Sequence, residues 1–127
     1  MFSSCSRMKI ALVFIACLLV SCASFSSGPR SSLVGEWKYA DKIQSCRYAF
    51  KQDGSFTGEV SYRGELVSRF RGRWAVKAHV LLYNYTSDAL GRIPAGAIDR
   101  DKLLTVEKDS FLIEAADGSR RRYLRIR

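Results

Sequence analysis

From Leu33 to Arg127 the apolar residues recur mainly at every second position, the period of a β-strand and not the 3.6 of a helix. The alternation predicts strands over 34–40, 44–51, 55–62, 66–77, 79–85, 101–107, 111–116 and 119–126. Most connections between them are short, so consecutive strands must lie antiparallel, and a meander of about eight is enough to close on itself. The predicted fold class is therefore all-β: one up-and-down antiparallel sheet closing into a small barrel. A different pattern precedes it. Ile10 to Val20 is unbroken apolar sequence, which predicts a short amino-terminal helix ahead of the barrel.

The register can be tested on the alternation itself. If Tyr48, Phe50, Phe56, Val60, Leu66, Phe70 and Trp74 all face inward, the loops between their strands must hold odd numbers of residues. Gln52-Asp53-Gly54 satisfies this, with Gly54 where a positive φ is needed and Lys51 and Ser55 as the closing pair. Arg63-Gly64-Glu65 is read as a second three-residue loop, which sets Tyr62 opposite Leu66 and Glu59 opposite Arg69 in an outward ion pair. Asp117-Gly118 allows two registers. A two-residue loop, the preferred reading, pairs Phe111 with Leu124 and Glu114 with Arg121; a three-residue loop pairs Phe111 with Tyr123 and Glu114 with Arg120. Either one sets an arginine, Arg122 or Arg121, opposite inward-facing Ile113, which predicts a cation in the interior or at the rim. Thr86 to Ile98 lacks alternation and is read as the one long loop. Leu90, Ile93 and Ile98 could then lie over a barrel mouth, or simply pack a wide connection.

At the amino end, Arg7 and Lys9 precede the apolar run, which gives the charged and hydrophobic regions of a secretory signal. Eleven residues at ~1.5 Å each span about 16 Å, roughly half the hydrocarbon thickness of a bilayer, which argues against a membrane-spanning helix. Leu19-Val20-Ser21-Cys22 resembles the lipobox of bacterial lipoproteins. That resemblance implies removal of residues 1–21, a diacylglyceryl thioether on Cys22 and acylation, with palmitate-type chains, of the new amino terminus. At about 0.8 kcal/mol per buried methylene, two or three chains hold effectively permanently. The competing reading is ordinary cleavage near Cys22-Ala23-Ser24 and a soluble product. Residues 22–32 are serine-rich and without hydrophobic period, as a tether requires; residues 33–127 form the domain. Met8 offers an alternative start. The expected place is the cell envelope, lipid-anchored, at the outer membrane in preference to the inner, with the membrane as first partner.

Charge narrows the roles further. The chain has 21 Lys and Arg against 12 Asp and Glu, and its formal charge of +9 falls to +7 once Arg7 and Lys9 leave. Arg69, Arg71 and Arg73 alternate on one outward face, a candidate surface for anionic envelope polymers or lipid headgroups; the other reading is an exterior kept soluble by charge. An exported chain of this charge has no address at nucleic acid, and a monomer is expected. Cys5 and Cys17 leave with the signal and Cys22 is modified, so Cys46 has no partner for a disulfide and reads as core beside Tyr48 and Phe50. His79 is the only histidine, and neither a metal cluster nor a triad with Ser87 and Asp88 has support from spacing. Glu36, Asp41, Asp99 and Asp101 read as surface carboxylates. No enzyme, metal or cofactor is expected.

Gly35-Glu36-Trp37 on the first strand, the barrel-sized meander and an arginine on the last strand together resemble the lipocalin-like group of small β-barrels. In that group the tryptophan closes one barrel end and a terminal arginine stacks across its ring, which implies that role for Gly35 and Trp37, with Arg125 or Arg127 as the partner. The domain is shorter than a full lipocalin and lacks its carboxy-terminal helix. Phe50, Asp53-Gly54-Ser55-Phe56, Gly72-Arg73-Trp74 and Tyr123-Leu124-Arg125 look more like the compact lipocalin-like domains of bacterial surface proteins. The resemblance implies an apolar cavity holding a small apolar or amphipathic ligand, with contacts from Tyr48, Phe56, Phe70 and Trp74. The same aromatic residues could fill a small barrel outright. An interaction or inhibitory module acting through the arginine face is the alternative function.

Overall fold

The computed structural model describes residues 29–127; the signal segment, Cys22 and most of the expected tether lie outside them. Pro29–Leu33 forms one short helical turn, α1, so the end of the serine-rich run is ordered beneath the domain. Eight strands follow: β1 Gly35–Ala40, β2 Gln44–Phe50, β3 Ser55–Tyr62, β4 Glu65–Lys77, β5 Val80–Asp88, β6 Ile98–Val106, β7 Ser110–Glu114 and β8 Arg120–Arg125. Each pairs antiparallel with the next, and β8 pairs with β1, which closes the barrel. This is the expected meander. Closure leaves no open sheet edge to pair with another chain.

The turns show why the registers fall where they do. In the β2–β3 turn Asp53 Oδ1 accepts from both the backbone N–H and the hydroxyl of Ser55, and Gly54 takes φ +91°. Phe50 then faces Phe56, as the parity argument requires. Asp-Gly-Ser recurs at 117–119 with the same two bonds from Ser119 to Asp117, and it fixes the three-residue register: Phe111 faces Tyr123 and Glu114 faces Arg120. The preferred two-residue reading is corrected by this serine, which closes the longer loop. The rim cation is Arg121, opposite buried Ile113.

The β3–β4 turn also differs. Tyr62 faces Glu65 across a two-residue turn in which Arg63 and Gly64 both take positive φ, 53° and 82°. A bulge between Val60 and Ser61 then restores the expected pairing of Glu59 with Arg69. A second bulge, at Arg71/Gly72, lets β5 run on to Asp88, so the long loop spans only residues 89–97. Within it Ile93 packs against the core, while Leu90 stays about half exposed, as does Ile98 at the start of β6. Ile98 does not cover the mouth, because it sits opposite outward-facing Asn84.

The inward residues form one continuous core of aromatic rings. Tyr48 lies within 6.5 Å, centroid to centroid, of Phe50, Phe56, Phe70, Tyr83 and Tyr123. Offset and edge-on packing of this kind adds about 0.5–1.5 kcal/mol per pair beyond the area buried. Gly58 makes room for it: a Cβ there would stand 2.3 Å from Phe70 Cε1.

Candidate functional site

In an up-and-down barrel alternate turns share an end, so the domain has one end carrying α1 and the carboxy terminus and another carrying the long loop. The first is closed. Trp37 is fully buried and donates its indole N–H to Leu33 O at 2.8 Å. The Arg125 guanidinium lies 4.2 Å over the Trp37 ring and donates to the carbonyls of Val34, Ser32 and Lys108. Gly35 has φ +136°, and a Cβ there would stand 2.4 Å from Arg125 Nη1. The glycine is therefore the space the arginine occupies. Arg125 holds this place, while Arg127 pairs with Asp109 outside.

A second arginine–tryptophan pair completes the plug. Arg30 of α1 lies 4.7 Å over the Trp74 ring and donates to Gln52 O, while the Trp74 indole N–H bonds Lys51 O. Sequence reasoning missed Arg30, a lone cation in a serine run with no pattern around it. Trp74 therefore belongs to the closed end. There its indole N–H and one ring face are occupied, by Lys51 O and the Arg30 guanidinium. Phe56 is buried in the middle layer, against Tyr83 and Tyr85, and Phe70 stands edge-on to Tyr85 at 5.2 Å.

The other end is polar inside. Asp99 and Asp101 share the inward face of β6, because they stand opposite Tyr83 and Leu81. Asp101 accepts the Tyr83 hydroxyl at 2.9 Å. Burial pushes the Asp101 carboxyl above its ordinary range, with the Tyr83 bond working against that shift. Burial likewise raises the hydroxyls of Tyr48 and Tyr83 well above theirs, and those of Tyr85 and Tyr123 as well. Arg121 lies beside the Tyr123 hydroxyl and 5.8 Å from the Tyr39 ring centroid. Cys46 is buried against the same group, accepts from Gln44 Nε2 at 3.5 Å, and has its thiol raised by burial, so it is an inert wall residue.

Among the described residues, the hydroxyls of Tyr48 and Tyr85 have no hydrogen-bond partner, and no enclosed side-chain oxygen or nitrogen is left unsatisfied. Those two hydroxyls therefore border space that a water-sized molecule can enter. Asp101 reads from sequence as a surface carboxylate. The usable signal was parity, since Asp101 and Leu103 fall on one face.

The long loop at this end is fastened. Asp88 accepts from Ser68 Oγ, the Arg69 N–H and the N–H groups of Leu90, Arg92 and Ile93. Desolvation opposes ionisation there, but the bonds from Ser68, Leu90, Arg69 and Ile93 outweigh it and hold the carboxyl at about 2.

On the outer wall a half-open groove of about 510 Å³ has Arg47, Arg69 and Arg71 among its lining, interspersed with Glu36, Glu59 and Asp88. Arg69 is paired with Glu59 at 3.2 Å, and Arg73 donates to Asp53 O. Of the predicted ladder only the Arg71 guanidinium lacks a partner among the described residues.

A closed eight-stranded antiparallel meander, plugged at one end by stacked tryptophan and arginine and polar inside at the other, has the fold of a lipocalin-like β-barrel. The crystal structure of a lipocalin-like protein from Bacteroides uniformis ATCC 8492 superposes with a TM-score of 0.55 at 18% sequence identity, over 75% of this chain and 99% of that one. Compared with protein-family models and with curated proteins, the sequence matches none.

Proposed function

We propose that this chain is a lipid-anchored envelope protein whose barrel binds a small amphipathic molecule at its open end. What carries the reading is the pair of unpartnered hydroxyls, Tyr48 and Tyr85, beside a desolvated Asp101 in an otherwise aromatic interior. A stable core has no need of these groups, and natural sequences break local packing rules mainly at functional sites. Tyr48 and Phe70 supply ring faces for the apolar part of the ligand; Tyr85, Asp101 and Arg121 address its polar part. The work is binding, not catalysis. An anionic polymer on the outer wall is the second reading, carried by Arg71 and Arg47.

Organic extraction of the purified protein followed by mass spectrometry should release a small amphipathic molecule. Displacement of a fluorescent amphiphile should weaken at least fivefold in Tyr48→Phe, which removes the hydroxyl and keeps the ring. An empty extract together with unchanged displacement in Tyr48→Phe overturns the reading. For the anchor, metabolic labelling with palmitate should tag the protein and should be lost in Cys22→Ser; a labelled Cys22→Ser variant or an unlabelled parent refutes it.

A further inference from the structure

The mouth is electrically divided. Its β5–β6 side carries Asp99 and Asp101 on the inward face, with the Tyr83 hydroxyl bonded to Asp101. Its β8–β1 side carries Arg121, with the Tyr123 hydroxyl and the Tyr39 ring against it. Strand β7 stands between the two sides: Leu103 faces Ile113, and Ile113 faces Arg121. Asp41 and Asp117 at this end also feel Arg121 but are fastened by hydrogen bonds to other groups, Asp41 from Tyr39, Ile43 and Gln44, and Asp117 from Ser119. Arg121 makes no ion pair within 4.0 Å among the described residues, and neither do Asp99 and Asp101.

Opposite charges sharing one mouth would ordinarily close on each other, since Asp101 and Arg121 are both partly buried and a buried charge without a partner is costly. Here the fold sets them two strands apart around the wall, beyond ion-pair distance, so that Arg121 acts on Asp101 only through the intervening space. The buried Tyr48 hydroxyl is near enough to Tyr123, Tyr85 and Asp101 to feel all three.

We infer that the polar end of the ligand is zwitterionic, with a cationic group directed to Asp99 and Asp101 and an anionic group directed to Arg121 and the Tyr123 hydroxyl. A dipolar head satisfies both charges at once, whereas a simple acid leaves the carboxylates uncompensated and a simple amine leaves the guanidinium so. The tyrosine faces around the carboxylates add favourable ring contacts for an alkylammonium group. This inference rests on the reading of the mouth as an amphiphile site.

The test uses the full-length protein and three probes with the same twelve-carbon chain, each below its micelle concentration: a dodecyl betaine, laurate and dodecylammonium. Isothermal titration should give the betaine at least tenfold tighter binding than either of the others. Asp101→Asn should weaken betaine and dodecylammonium about tenfold and leave laurate unchanged or tighter. Arg121→Gln should weaken betaine and laurate and spare dodecylammonium. Comparing variants cancels any uptake by the apolar amino-terminal segment. Laurate binding as tightly as betaine, with Asp101→Asn without effect on betaine, overturns the zwitterion while leaving an amphiphile site standing. Binding of all three probes unchanged in both variants, or no binding at all, removes the site itself.

Discussion

At the scale of single residues, the closed end and the mouth use charge in opposite ways. Arg125 is a fastener: its planar fork reaches three carbonyls while its face covers Trp37. Lysine can keep the charge but neither the fork nor the stack. Arg125→Lys should therefore cost about 2–3 kcal/mol of stability, measured by urea unfolding. Asp101 is the reverse case. Its folded value is raised, so the ionised form disfavours folding, and the stability it contributes is present below the ordinary carboxylate range and lost as pH rises through its folded value. Asp101→Asn should raise the melting temperature at pH 7 while weakening ligand binding. A variant that melts lower would make Asp101 a structural residue.

At the scale of elements, one glycine and one aspartate set the shape of the wall. Gly72 lies at the β4–β5 bulge, where a Cβ would stand 2.1 Å from Asn84 O and 2.8 Å from Phe56 Cε1. Neither neighbour can withdraw, since one is ladder backbone and the other is core. Gly72→Ala should destabilise by about 3 kcal/mol or more in chemical denaturation. Asp88 ties the 89–97 loop to β4, and its depressed value means that this tie is intact above about pH 4 and lost as pH falls towards 2. Hydrogen exchange of Leu90, Arg92 and Ile93 should accelerate over that interval, and Asp88→Ala should show the fast exchange already at pH 7.

At the scale of the whole molecule, closure of β8 on β1 makes one sheet around one core, with no subdivision along which part of it could open alone. Unfolding should be a single cooperative step. The two tryptophans report the closed end and far-ultraviolet circular dichroism reports the whole sheet, so their urea transitions should coincide. Transitions that separate would mean that the plug opens ahead of the barrel.

The sequence by itself determined that the domain is a closed meander of eight antiparallel strands and most of its apolar inward set, because period-two alternation and short turns leave few other arrangements. It also contained the Gly35–Trp37 plug and the Asp53 turn, which are local chemistry. What only the tertiary structure decided depends on residues far apart in the chain. Arg30 meets Trp74, Asp88 gathers five donors from two elements, Ser119 selects a register that Asp117-Gly118 alone leaves open, and a bulge near Val60 cancels the slip of a tighter turn. The mouth belongs to the same class. Asp99 and Asp101 read as surface carboxylates until β6 is paired with β5, and only closure of the barrel sets them across from Arg121, since a strand's own pattern fixes which side a residue faces but not what stands opposite it.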